Sequence, residues 1–287
     1  MQTLNQVTYL RAAIRAEKEQ GKRIALVPTM GNLHAGHLAL IKRAHEIADV
    51  VIASIFVNPM QFGAGEDFDN YPRTLTEDLA KLEAENTHYL FTPDNKEIYP
   101  NGIEAHTKVN NEALGTNLEG HSRPTHFEGV CTVVSKLFNL VQPDMAIFGE
   151  KDYQQLAIIR RMTEDLCMPI DIVGVPTVRE TSGLAMSSRN GYLTDTQRNQ
   201  AKAIYTELQS VKKQILLGST SYNALCIEAK TELLAAGLEP DYFDICDAKT
   251  LTPIRENAHS DNIVVLSAAF AGKTRLLDNI SLSINKR

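Results

Sequence analysis

The sequence predicts an α/β protein, a doubly wound parallel sheet with a smaller C-terminal α+β domain, and three observations predict it. Five short apolar runs, at residues 24–27, 50–57, 89–91, 145–148 and 170–175, alternate with helical segments. Runs without a polar face belong to strands buried on both sides, the parallel arrangement. The alternation then stops, and two long helical segments precede three short strand-like runs with turns between them. Finally, 287 residues exceed one ordinary domain. The expected division is residues 1–177 and 178–287, with no repeat or low-complexity linker.

Taken in order, residues 3–19 have helical character and stop before Gly21, a residue suited to a helix C-terminus. The first apolar run feeds a turn containing glycine and histidine, and residues 37–48 continue as a helix. Residues 50–57 are rich in β-branched side chains, as strands are. Tyr71-Pro72-Arg73 opens a helix through Leu75, Leu79 and Leu82. Strand 89–91, helix 130–141, strand 145–148, helix 153–166 and strand 170–175 complete the layer. In the tail the expected helices are 196–217 and 222–236, and the expected strands 242–246, 263–269 and 274–277. Open parallel sheets bind ligands beyond the carboxyl ends of their strands. The loops at Thr29, Asn58 and Gly149 therefore draw attention.

Composition narrows the function classes. With 43% hydrophobic and 22% charged residues, the chain can bury a core and is not of disordered composition. The net charge of −6 argues against nucleic acid as a partner. The four cysteines form no CxxC pair, which disfavours a disulfide framework or a cysteine zinc site. No run approaches the ~20 apolar residues of a membrane span. The amphipathic N-terminus carries acidic residues, unlike a secretory leader. The expectation is a soluble, reduced, cytoplasmic protein without a membrane partner.

Four segments carry candidate chemistry. In VPTMGNLHAGH (27–37), the HxGH pattern follows a strand and opens a helix. Its glycine permits close approach of a nucleotide, the helix N-terminus offers N–H groups to phosphate, and two imidazoles can donate to phosphate oxygens. A turn with two surface histidines, or part of a metal site, is the competing reading. In Gly149-Glu150-Lys151-Asp152, the lysine can reach a phosphate or carboxylate and the aspartate can hold magnesium; a solvated charged loop competes. In Met186-Ser187-Ser188-Arg189-Asn190, two hydroxyls and a guanidinium suit outer phosphates; a polar linker competes. In Asn58-Pro59-Met60-Gln61-Phe62, amides can orient a small polar ligand, against a plain turn. Two further patterns are set aside. Ala271-Gly272-Lys273-Thr274 ends like a P-loop, but Ser267 replaces its first glycine and no helix follows, so a strand-to-strand turn is expected. His121 and His126 have no third metal ligand nearby in sequence.

Together these segments resemble the pantoate–β-alanine ligases (pantothenate synthetases, AMP-forming), of the HxGH nucleotidyltransferase superfamily. The resemblance runs through VPTMGNLHAGH, SIFVNPMQF, YPRTLTEDL, EIYPNG, SRPTHFEGV, SKLFNLVQPDMAIFGEKDYQQL and GLAMSSRNGYL, covering residues 27–193, and extends to RLLDN at 275–279. It implies a Rossmann-like ATP- and pantoate-binding domain and a lid-bearing tail. It also implies two steps: pantoate and ATP form pantoyl adenylate and pyrophosphate, and β-alanine then displaces AMP. ATP and Mg2+ are the implied cosubstrate and metal, and a homodimer the implied assembly.

The resemblance assigns ATP to Met30, Gly31, Asn32, Leu33, His34, Ala35, Gly36 and His37, with His37 as the proton-donating catalytic residue and His34 beside it on the phosphates. Gly149, Glu150, Lys151 and Asp152 hold adenosine and phosphate, with Lys151 bridging toward pantoate and Asp152 a magnesium candidate. Val178 meets adenine through its backbone. Met186, Ser187, Ser188 and Arg189 close over the outer phosphates, and Gln61 and Gln155 bind pantoate, Gln61 also β-alanine. Residues 62–71, with Gly63 and Gly65, are the candidate gate. A transferase releasing an adenylylated product, a non-catalytic nucleotide-binding module and a tRNA-charging enzyme are the alternatives. The second domain, the presence of His37 and Lys151, and the acidic balance weigh against them in turn.

Overall fold

The computed structural model describes residues 1–63, 65–255 and 260–284. Its strands are β1 (Gln2–Leu4), β2 (Ile24–Thr29), β3 (Val50–Ile55), β4 (Tyr89–Phe91), β5 (Met145–Gly149), β6 (Asp171–Val175), β7 (Glu239–Asp247), β8 (Asn262–Ala271) and β9 (Thr274–Ser283). Its helices are α1 (Val7–Glu19), α2 (Ala35–Ile47), α3 (Leu75–Ala84), α4 (Asn95–Ile98), α5 (Glu112–Gly115), α6 (Glu119–Ser122), α7 (His126–Val141), α8 (Tyr153–Asp165), α9 (Asp195–Leu216) and α10 (Tyr222–Ala235). The chain groups into two compact units, one of Met1–Glu150 with Gln154–Pro176, the other of Lys151–Tyr153 with Thr177–Arg287.

In the first unit six strands pair in the order β1-β4-β3-β2-β5-β6, every pair parallel. The order reverses at β2, which has β3 on one side and β5 on the other. That crevice between β2 and β5 is the topological switch point where such sheets take ligands. Residues Ile24 to Val27 are wholly buried. One face of β2, Ala25 and Val27, packs with Leu40, Ile41 and Ala44 of α2. Burial on both faces explains why these strands read as unbroken apolar runs. Pro28 fits inside β2 because it lies beyond the last β2–β5 pair, Leu26–Ala146; there β2 has a single neighbour, so a missing N–H costs the ladder little.

The second unit is a three-stranded antiparallel sheet, β7-β8-β9, packed by α9 and α10. Its core is separate, built around Phe243, Val265, Ile204, Leu208 and Leu233. Thr194 caps α9 reciprocally with Gln197, at 3.2 and 3.0 Å. Ala271 pairs with Thr274 across a two-residue hairpin with Gly272 at φ +62, the strand-to-strand turn expected there.

Several boundaries differ from expectation. The helix expected from residue 3 starts at Val7, because Gln2–Leu4 pairs with Tyr89–Phe91 as an edge strand. The helix expected near Tyr71 starts at Leu75. The helix expected from residue 130 begins at His126, its first turn disguised by Gly129. Strands β7, β8 and β9 run 9, 10 and 10 residues, longer than the runs read in the sequence. In β9 the pair Asp278-Asn279 has the composition of a turn, yet both side chains find partners inside the fold.

Candidate active site

The HxGH turn leaves the carboxyl end of β2 and is held from α3. Gly31 has φ +81, and a Cβ there would lie 3.1 Å from both Asp78 Oδ2 and Ile55 Cγ2. Glycine satisfies both demands at once. Asn32, also left-handed at φ 49, and Leu33 donate their N–H groups to the Asp78 carboxylate at 2.8 and 2.7 Å. Thr74 donates to the same carboxylate at 3.2 Å, and Lys81 Nζ holds the Leu33 carbonyl at 2.7 Å. Asp78 is completely buried. Its one signal in the sequence is an acid four residues before Leu82, on the apolar stripe of its helix.

His34 and His37 cap α2 reciprocally. The Gly36 N–H donates to His34 Nδ1 at 3.1 Å, and the His34 N–H donates to His37 Nδ1 at 3.2 Å. The rings lie 4.0 Å apart, centroid to centroid. With both Nδ1 atoms accepting, each neutral ring carries its proton on Nε2. The helix N-terminus thus combines two imidazoles with its own positive end, a combination that suits an oxyanion or phosphate.

The 58–61 turn, at the end of β3, closes onto this segment. Gln61 Nε2 lies 3.0 Å from Met30 Sδ, and both Asn58 and Gln61 are buried. Asn58 Nδ2 donates to Gln61 Oε1 at 3.3 Å and to the Gly129 carbonyl at 3.0 Å. Asn58 Oδ1 accepts from Met60 N–H at 3.3 Å and from Tyr99 Oη–H at 2.7 Å. Helix α7 meets the turn at Gly129, where a Cβ would come within 2.4 Å of the Met60 carbonyl oxygen. The turn's own carbonyl, Gln61 O, faces His126 Nδ1 at 2.9 Å and accepts from Arg123 at 3.3 Å. Arg123 also grips Glu66, at 2.5 and 2.8 Å. Residue 64, inside the expected gate, lies outside the described residues.

At the end of β5, Gly149 and Glu150 belong to the first unit and Lys151 and Asp152 to the second. Two adjacent glutamines on α8 divide their work. Gln154 is buried and spent on structure, donating to the Leu114 and Asn117 carbonyls at 2.7 and 2.8 Å and accepting from Glu119 N–H at 3.0 Å. Gln155 is only partly buried.

The second unit gathers Lys151, Asp152, Val178 and Met186–Arg189. Lys151 Nζ sits 3.4 Å from Asp152 Oδ1, and the Lys151 carbonyl accepts from Asn279 Nδ2 at 2.7 Å. Met186 N–H donates to the Val178 carbonyl at 2.9 Å, and Arg179 pairs with Ala185, so these expected contacts lie on one short ladder. Ser187 Oγ accepts the Arg189 N–H at 3.2 Å and starts a 3-10 turn, Ser188–Tyr192. Beneath it Arg179 binds both oxygens of buried Asp278, at 2.5 and 2.9 Å, and stacks on Tyr205 at 3.7 Å. Asn190 and Arg198 meet at Glu180, at 3.1 and 2.6 Å. Among the described residues no helix is long and apolar enough to cross a membrane.

Comparison with known proteins adds the family. The sequence model of the family described as Pantoate-beta-alanine ligase matches residues 2–281. A pantothenate synthetase of Hahella chejuensis is 56% identical over 284 residues, covering 99% of this chain and all of the relative. One of Pseudomonas entomophila is 52% identical, covering 100% and 99%. The crystal structure of a pantothenate synthetase from Thermus thermophilus superposes with a TM-score of 0.90 at 43% identity, covering 98% of this chain and 99% of the other. A pantoate-beta-alanine ligase from Francisella tularensis, complexed with beta-gamma ATP and beta-alanine, gives 0.80 at 34%, covering 98% and 97%.

Proposed function

This chain belongs to the pantoate–β-alanine ligase family, and from that premise we infer both its reaction and the residues that perform it. The enzyme condenses (R)-pantoate with β-alanine, using ATP, to give pantothenate, AMP and pyrophosphate. In the first step a pantoate carboxylate oxygen attacks the α-phosphorus and the bond to pyrophosphate breaks. In the second the β-alanine nitrogen attacks the acyl carbon, the bond to AMP breaks, and the amine loses a proton.

The observation that best supports the site assignment is the paired imidazoles. The rings sit at the head of α2, which follows β2, the strand at the switch point of the sheet, and each turns its Nδ1 to the helix backbone. Donors there stabilise charge developing on the transferring phosphate. We assign His37, with His34 beside it, to that role, and the N–H-rich turn Met30–Gly36 to ATP. Gln61 and Gln155 take pantoate, whose hydroxyls both donate and accept, as amides do. Gln61 also takes β-alanine.

In the second unit, Lys151 and Arg189 supply positive charge, Gly149 to Asp152 and Met186 to Ser188 the nucleotide contacts, and Val178 a backbone contact to adenine. Mg2+ neutralises the polyphosphate and activates it for displacement when bound. Magnesium usually takes one or two carboxylates plus phosphates, and the part-exposed carboxylate of Asp152, beside Lys151, fits that donor set. An acyl adenylate hydrolyses readily, so exclusion of water is needed. Residues 62–71 serve as the gate, residues 1–177 as the ATP- and pantoate-binding domain, and residues 178–287 as the lid domain. Family analogy further supports a homodimer and a cytoplasmic location, with no nucleic-acid or membrane partner.

The test is exchange of labelled pyrophosphate into ATP with pantoate present and β-alanine omitted. Exchange is expected, and its absence in folded, active enzyme would remove the adenylate. His37→Ala and Lys151→Ala are expected to lose activity by orders of magnitude with unchanged circular dichroism. A near-normal rate in either removes that residue from the catalytic set. Free AMP formed only with β-alanine present separates the ligase from a transferase that releases its adenylylated product.

A further inference from the structure

The stretch Glu97-Ile98-Tyr99-Pro100-Asn101-Gly102 has no role in the reaction as assigned, although it is part of the resemblance. Tyr99 follows α4, is buried, and aims its hydroxyl at Asn58 Oδ1, 2.7 Å away. We propose that Tyr99 is a positioning residue for pantoate, acting through a directed chain of hydrogen bonds from Tyr99 to Asn58 to Gln61. The inference rests on the assignment of Gln61 to pantoate.

A primary amide has one accepting and one donating end, and the two are nearly interchangeable in shape. What a buried glutamine offers a ligand therefore depends on what fixes its flip. Here each link of the chain has a polarity. Tyr99 donates to Asn58 Oδ1. That leaves Asn58 Nδ2 to donate to the Gly129 carbonyl and to Gln61 Oε1. With Oε1 engaged, Gln61 turns its Nε2–H2 toward Met30, on the HxGH segment. Gln61 thus offers donors to an anionic, hydroxylated substrate.

Tyr99 has the shortest contact in the chain, and the Met60 N–H that also reaches Asn58 Oδ1 is 3.3 Å away. The Tyr99 ring is itself clamped. His106 meets it edge-on at 5.0 Å, Phe56 at 6.3 Å, and the Lys136 ammonium lies 5.4 Å from its centroid. Burial pushes the phenol well above its ordinary value, so it remains a donor through the working pH range.

The experiment uses the full-length enzyme. Tyr99→Phe removes only the hydroxyl; it is compared with Gln61→Ala and the double variant, with separate KM values for pantoate and ATP. Losing one buried hydrogen bond is expected to raise the pantoate KM about tenfold, with the ATP KM within about twofold and the fold intact by circular dichroism. In the Gln61→Ala background the same change is expected to add almost nothing, because the chain has lost its last member. A raised pantoate KM in Gln61→Ala beside an unchanged one in Tyr99→Phe would overturn the positioning role alone. Equal losses toward both substrates, or full additivity in the double variant, would overturn it as well and leave Tyr99 a packing residue. An unchanged pantoate KM in Gln61→Ala would instead overturn the assignment of Gln61, and the role of Tyr99 with it.

Discussion

At the scale of single residues, the site depends on side chains that never face it. Asp78 is the clearest example: two backbone N–H groups and one hydroxyl converge on a carboxylate with no exposure. Asp78→Asn keeps the shape but replaces one acceptor by an NH2 that must confront a backbone N–H. We expect a stability loss of about 2 kcal/mol or more, read by urea unfolding, with a raised ATP KM because the Gly31–Leu33 turn relaxes. An unchanged ATP KM would mean that the turn does not need its brace. The candidates His34, His37, Lys151 and Gln61 can be picked from the sequence because their residue types suit phosphate and carboxylate chemistry. Asp78, Gln154 and Tyr99 cannot, because the Leu33 N–H, the Leu114 carbonyl and the Asn58 amide that they bind lie 45, 40 and 41 residues away in the chain.

At the scale of elements, helix α7 and the 58–61 turn are fitted backbone to backbone. A Cβ added at Gly129 would collide with the Met60 carbonyl, and a carbonyl cannot swing aside as a side chain can. Gly129→Ala is therefore expected to cost about 1–3 kcal/mol by overpacking and to weaken pantoate more than ATP; wild-type stability would show that α7 can back away. The neighbouring Arg123–Glu66 pair adds a pH dependence. Burial is the largest single influence and raises the Glu66 pKa, but the Arg123 hydrogen bonds and charge, with His126 and the Gly63 backbone, together outweigh it and hold the carboxyl below its ordinary 4.5. A depressed carboxylate stabilises the fold above its unfolded pKa and loses that contribution as pH falls through the folded one. The difference in melting temperature between wild type and Glu66→Gln should be constant above about pH 5 and shrink below it; a difference that stays constant into the acid range would exclude the pair as its source. Element identity was largely legible, because buried parallel strands have a one-sided composition. Element ends were not: β1 exists only because β4 pairs with it, and the Gly129 that breaks a helical pattern on paper is what lets α7 pack.

At the scale of the whole molecule, each compact unit has its own apolar core, and the second is organised around a contact between residues 99 apart. Local composition could not reveal it, since Arg179 and Asp278 lie far apart in the chain and Asp278-Asn279 has the composition of a turn. In the fold, Arg179 ties Asp278 and Asn279 of β9 to Gly183, and stacks on Tyr205 of α9. Asn279 in turn holds the Lys151 backbone. Removing Arg179 would leave the Asp278 carboxylate buried without its cation, a loss of about 3–5 kcal/mol. The effect should be confined to the second unit, because all of these partners lie within it. Arg179→Ala is therefore expected to raise hydrogen exchange across residues 178–190 and 274–283, with β2 and β5 as protected as in wild type. Arg179→Lys should rescue little, since an ammonium can neither bind both carboxylate oxygens in register nor lie flat on the Tyr205 ring. Turnover should fall along with the protection, as the ladder carrying Val178 and Met186 loosens and the Lys151 carbonyl loses its anchor. Increased exchange that spreads equally into β2 and β5 would instead mean that the two cores do not open independently.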